Sequence, residues 1–174
     1  MDDIEAKNLI EALIFSSTEP LRTSKLEEII SNHGKFDVKQ LIQKIVDDYE
    51  ERGVNLVQVE DRWFFRTSIM LNNYLRIETE KKKRLSKPTL ETLAIICYHQ
   101  PVTRAEIEKI RGKPVFRGTL DILLDLKWIK PKGRRETPGR PVMWGTDFEF
   151  LKHFGLKSLN DLPKVEELES IGLD

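Results

Sequence analysis

The sequence predicts a mainly α chain with small β wings, an α+β protein built from two tandem winged-helix domains. Three observations carry that reading. EPLRTSKLEEI, Glu19 to Ile29, and QPVTRAEIEKI, Gln100 to Ile110, share proline, apolar and acidic positions at one offset, since 101 − 20 = 81. The offset continues ungapped on both sides, pairing Leu9 with Leu90 and Ile45 with Leu126, so one unit occurs twice. Within each copy, three stretches of helical apolar spacing precede a β-rich hairpin signal. The length of 174 residues, with 39% hydrophobic and 33% charged side chains, suits two modest cores of about 80 residues each.

Taken in order, Ile4, Leu9, Ile10, Leu13 and Ile14 form a helical stripe over residues 3–15 that stops before Ser16-Ser17-Thr18 and Pro20. Ser24 with Glu27 reads as a capping box for a second helix running to about Asn32. Asp37 with Gln40 caps a third helix, whose apolar set is Val38, Leu41, Ile42, Ile45, Val46 and Tyr49, and Gly53 ends it. VNLVQVEDRWFFRT then places β-branched and aromatic residues on either side of Glu60-Asp61-Arg62, a hairpin. In the second copy Ser86 and Pro88 open a helix, and Thr103 with Glu106 forms the next capping box. Gly112 and Pro114 precede a third helix carrying Phe116, Leu120, Leu123 and Leu124. The second wing is expected in WIKPKGRRETPGRPVMWGT, with its loop at Gly133 to Pro141 and a return strand from Val142 to Gly145. The expected domains are residues 1–77 and 88–160, joined by a basic linker at 78–87 that contains Lys81 to Arg84 and followed by an acidic tail at 161–174.

Formal net charge is zero but unevenly spread. Residues 1–51 hold 6 Lys/Arg against 12 Asp/Glu, whereas residues 78–141 hold 16 against 8. The start, MDDIEAKNLIEAL, carries acid where a signal peptide carries lysine or arginine, and no apolar run approaches the ~20 residues of a membrane span. A cytoplasmic protein with no membrane partner is expected. His33, His99 and His153 lack metal-ligand companions, and neither GxxxxGKS/T nor GxGxxG occurs. Cys97 lies in the apolar run LAIICY and reads as a buried, inert thiol. No catalytic, metal or cofactor residue is nominated, and no enzyme activity is expected.

Two binding readings remain. A winged helix suggests DNA, but the third helix of the first copy, residues 37–52, has 3 basic against 5 acidic residues and would repel phosphates. In the second copy Lys130, Lys132, Arg134, Arg135 and Arg140 face Glu136 alone, so that loop could touch phosphate or an acidic partner. The alternative is protein docking. Beside its core stripe, the third helix of this copy has Val115, Ile122 and Leu126 on a neighbouring face, and the wing adds Trp128, Val142 and Trp144.

ETLAIICYHQPVTRAEIEKIRG (91–112), TPGRPVMWGT (137–146) and FLKHFGLKSLNDLP (150–163) resemble the bacterial segregation and condensation protein B family. That resemblance implies two winged-helix domains and a homodimer formed mainly through the N-terminal domains. It also implies binding to the kleisin subunit, segregation and condensation protein A, and through it to the SMC ATPase, in a nucleoid-associated complex that condenses and partitions the chromosome. DNA contact is then weak or indirect, and the subunit is non-catalytic. Candidate kleisin contacts are Phe116, Ile122, Leu126, Trp128 and Trp144, and candidate dimer contacts are Ile4, Ile10, Trp63 and Phe64. Met143-Trp144 departs from the family pattern by making the wing more aromatic.

Overall fold

The protein is described by a computed structural model covering residues 1–71, 73–75 and 85–163. It divides into two compact units, Met1–Glu80 and Lys81–Asp174. Residues 78–84 of the expected linker, with its Lys81–Arg84 run, and residues 164–174 of the expected acidic tail lie outside the described residues.

In the first unit α1 (Asp3–Ser16) leads to a two-residue strand β1 (Leu21–Arg22), then α2 (Thr23–Ser31), α3 (Val38–Tyr49) and the hairpin β2 (Val54–Val59) and β3 (Arg62–Thr67). The second unit repeats that order with α4 (Lys87–His99), β4 (Val102–Thr103), α5 (Arg104–Arg111), α6 (Arg117–Asp125), β5 (Ile129–Arg134) and β6 (Val142–Thr146). Each unit thus opens with three helices and a small antiparallel sheet, the element order expected of a winged helix. Both sheets place the return strand centrally, in the orders β1-β3-β2 and β4-β6-β5. The repeat offset is preserved in their registers. Leu21 lies opposite Trp63 and Val102 opposite Trp144, and both 102 − 21 and 144 − 63 equal 81.

The first core gathers Ala6, Ile10 and Ile14 of α1, Leu26 and Ile30 of α2, and Leu41, Ile42 and Ile45 of α3, with Leu56 from the hairpin. The three-four spacing of these residues puts them on one face of each helix, and burying an Ile or Leu in full contributes about 1.5–3 kcal/mol. The second core takes Leu93 and Ile96 of α4, Ile107 of α5, Leu120 and Leu123 of α6, and Ile129 of β5. Thr92, fully buried on α4, returns its hydroxyl to the Pro88 carbonyl at 2.9 Å, which satisfies it without a tertiary partner.

The expected caps fare differently. Asp37 accepts from the Gln40 N–H at 3.0 Å, Ser86 caps α4, and Thr103 with Glu106 forms a complete box. Ser24 and Glu27 do not. Helix α2 starts at Thr23 directly from β1, its N-cap is Arg22, and no side chain caps it. The Thr23 N–H donates to the Asp61 carbonyl at 3.0 Å, so the hairpin turn satisfies the first of the orphan amides of α2, whereas a capping hydroxyl would take the second or third. One α-helix among the described residues went unread in the sequence. Helix α7 (Phe148–Phe154) follows β6, capped by Asp147, which accepts from the Phe148 N–H at 2.8 Å, and closed by Gly155 in the left-handed region.

Candidate functional site

The second wing is braced at its base and along its loop. Gln100, at the end of α4, accepts from the Thr146 N–H at 2.8 Å and donates to the Cys97 carbonyl at 3.1 Å, so β6 is tied to α4. Glu106 does more than complete the cap. It accepts from the Thr103 N–H at 2.8 Å and from Arg135 at 2.7 and 2.8 Å through its two oxygens. The Thr103 amide and then the Arg135 guanidinium hold its carboxyl down to about 2. The loop is therefore pinned to the start of α5.

That bracing removes cations from the set expected to meet phosphate or acid. Arg135 is committed to Glu106, and Lys130 contacts Asp147 at 2.5 Å. Burial pushes the Asp147 carboxyl up, but the Lys130 ammonium and the Phe148 N–H outweigh it and leave the group below its usual value. The two recruited carboxylates cut the ribbon from net +4 to net +2. Lys132, Arg134 and Arg140 are exposed, with Arg134 donating to the Arg140 carbonyl at 3.1 Å.

The five candidate docking residues do not share one patch. Phe116 is 72% exposed at the N-cap of α6 rather than part of its core stripe. Ile122 and Leu126, 45% and 41% exposed, are four residues apart and share one flank of that helix. Leu120 and Leu124 turn to another flank, where a shallow depression of about 270 Å³ is completed by Arg104, Arg117, Val142 and the half-buried Trp144. Trp128 packs against α7 instead, with its ring centroid 4.6 Å from His153 and 5.1 Å from Phe154. Val115, expected on the exposed neighbouring face, is buried, because Arg104 donates to its carbonyl and Glu108 accepts from its N–H, folding the segment inward. A second apolar groove, about 330 Å³, lies between α4 and α7 and includes Leu90, Ala94, Tyr98, Phe150 and Phe154.

In the first unit Ile4 is 68% exposed on α1, while Ile10 lies fully inside the core and is a packing residue, not a surface one. Trp63 and Phe65 alternate onto the core side of β3, so Phe64, half-buried, faces the other way. The Trp63 indole donates to the Thr23 hydroxyl at 2.9 Å. Sequence reasoning did not single out the exposed Phe15, or Ile69, Met70 and Tyr74 just after the hairpin. Phe15 sits edge-on to Phe65 at 6.3 Å, a contact that only the packing of α1 on β3 reveals.

Among the described residues no three His, Cys, Asp or Glu side chains group closely enough to hold a metal ion. Burial pushes the Cys97 thiol up to about 12, so it stays protonated and unreactive. No helix among the described residues is long and apolar enough to cross a membrane. These features define a class: paired helix-and-hairpin units that carry exposed apolar and cationic side chains along their helices and wings.

The chain belongs to the family of the segregation and condensation complex subunit ScpB, whose sequence profile matches residues 8–165. It is 43% identical to the segregation and condensation protein B of Desulforamulus reducens over 94% of this chain and 91% of that one. The homolog from Coxiella burnetii is 38% identical over 97% of this chain and 82% of its own length. A crystal structure of ScpB from Mycobacterium tuberculosis, 27% identical, covers 90% of this chain and 98% of its own with a TM-score of 0.41.

Proposed function

We propose that this protein is a non-catalytic adaptor of the bacterial SMC–kleisin complex. It forms a homodimer through its first unit, binds the kleisin subunit, segregation and condensation protein A, and through it regulates the SMC ATPase in chromosome condensation and segregation. It works in the cytoplasm at the nucleoid. Membership of the ScpB family over residues 8–165 is the observation that carries this reading. The exposed Ile4 and the outward-facing Phe64 in the first unit support a dimer contact there. Phe116, Ile122, Leu126 and Trp144 in the second unit support peptide docking, with Trp128 contributing through the α7 cluster.

Neutralisation of Lys130 and Arg135 favours a polypeptide partner over duplex DNA, whose affinity scales with the phosphates neutralised. The test is co-purification of the tagged full-length protein with the kleisin of the same organism, paired with light scattering. Retention of the kleisin and a mass twice 20.4 kDa are expected. A persistent 20.4 kDa monomer at micromolar concentration would remove the dimer. Loss of the kleisin across several salt conditions would remove the main partner.

A further inference from the structure

The duplication makes one pair of residues directly comparable. Trp63 and Trp144 occupy the same place in the two sheets, each opposite the first residue of a two-residue strand. In the first unit the indole N–H is consumed internally by the Thr23 hydroxyl. The residue 81 positions beyond Thr23 is Arg104, a donor with no acceptor to offer an indole N–H, which pairs with Glu108 at 3.2 Å and donates to the Val115 carbonyl. Among the described residues the Trp144 indole N–H has no hydrogen-bond partner. A donor that serves as a strut in one copy is free in the other.

The free donor borders the depression between α6 and β6. Leu120, Leu124, Val142 and the Trp144 ring supply its apolar lining. Arg117 stands exposed at its edge and has no ion-pair or hydrogen-bond partner among the described residues. Val142 lies opposite Arg134 in the hairpin register, and Arg140 adjoins Pro141 in the lining, so the exposed wing cations continue from the same edge. Asp121 is the one carboxylate in the lining. An apolar depression with an unmet N–H, a free guanidinium and adjoining cations complements a chain that inserts one bulky apolar side chain and flanks it with carboxylates.

We infer that the Trp144–Arg117 depression is the docking site for an acidic segment of the kleisin subunit, in which an apolar anchor fills the depression and a neighbouring carboxylate meets Arg117 and the Trp144 N–H. This rests on the adaptor reading above. It assigns what that reading leaves open: which of the separate surfaces takes the partner, and the partner's charge.

The test uses the full chain, the full-length kleisin of the same organism and isothermal titration calorimetry. Trp144→Phe keeps the ring and removes the donor, and it should weaken binding roughly threefold to tenfold. Trp144→Ala and Arg117→Glu should each weaken it about tenfold or more. Arg117→Glu alters an exposed, unpaired side chain, so it stays informative even if Trp144→Ala disturbs the fold. Lys157→Ser, exposed beyond α7 and outside the lining of the depression, should change binding by less than about twofold, and Ile122→Ser, on the other flank of α6, is measured beside it. Wild-type binding that survives Trp144→Phe and Arg117→Glu within twofold overturns the inference and leaves the adaptor reading standing. Absence of wild-type binding overturns the reading itself. Binding that depends on Ile122 but not Arg117, or a self-association lost in Arg117→Glu, also overturns the assignment.

Discussion

Glu106→Gln tests whether the wing is held by a charge or merely by a cap. The carboxyl accepts from the Thr103 N–H and hydroxyl and from Arg135, and it sits at about 2 rather than the reference 4.5. A difference of about 2.5 corresponds to roughly 3.4 kcal/mol at ~1.36 kcal/mol per unit. The side chain is 44% exposed, so solvent screening reduces the usable part to about 1–2 kcal/mol. A cap of about 1 kcal/mol plus an exposed ion pair of ~0.2–1 kcal/mol reaches the same range independently. The folded value is depressed, so the stabilisation is complete above about pH 4.5 and is lost as pH falls toward 2. The substituted amide would still accept from Thr103 but could not pair with a cation. Urea unfolding of the full chain, followed by NMR signals of α5 and α6, should show the variant about 1–2 kcal/mol less stable at pH 7, with at least half of that gap gone by about pH 3. A gap that stays constant from pH 7 to pH 3 would show that Glu106 acts only as a neutral acceptor, and the reasoning would fail.

Three further outcomes are expected. Leu123→Ala, at a fully buried position of α6, should cost about 2–5 kcal/mol in urea unfolding of the second unit. Gly118→Ala, within α6 with open space where the methyl would sit, should stabilise by ~0.5–1 kcal/mol, whereas Gly112→Ala, at φ +70° after α5, should destabilise by about 1 kcal/mol. Thermal unfolding separates the signs. Ser24→Ala should shift stability by less than about 0.5 kcal/mol, while Thr103→Ala should cost about 1 kcal/mol, because only the second hydroxyl caps a helix.

What the sequence revealed and what it hid divide along one line: local chemistry against cross-chain pairing. Ser86, Asp37 and Thr103 with Glu106 could be read because a cap involves residues three apart. The strands β1 and β4 could not, since two residues show no alternation and exist only because β3 and β6 lie beside them. Ile10 misleads as a surface residue because an amphipathic stripe reveals which residues share a face, not what covers that face. Lys130 and Arg135 look available in the sequence for the same reason, as their carboxylates are 17 and 29 residues away. Helix α7 did have a signal. Asp147 and Gly155 bracket Phe148, Phe150, Leu151 and Phe154, a cap, a stop and an apolar set between them.

The misplaced cap on α2 is the more instructive failure, because the repeat contained its correction. The box at Thr103 and Glu106 maps by the 81-residue offset onto Arg22 and Lys25, not onto Ser24 and Glu27. The backbone kept the register, as both helices begin one residue after their two-residue strand, while the capping side chains changed. With Lys25 in place of a carboxylate, the first unit has no group equivalent to Glu106 and hence no anchor of that kind for its hairpin. It uses the Trp63–Thr23 hydrogen bond and the Asp61 carbonyl instead. The two copies thus fix their wings with different atoms. In the second, the strut runs through Glu106–Arg135, and among the described residues the Trp144 indole N–H has no hydrogen-bond partner.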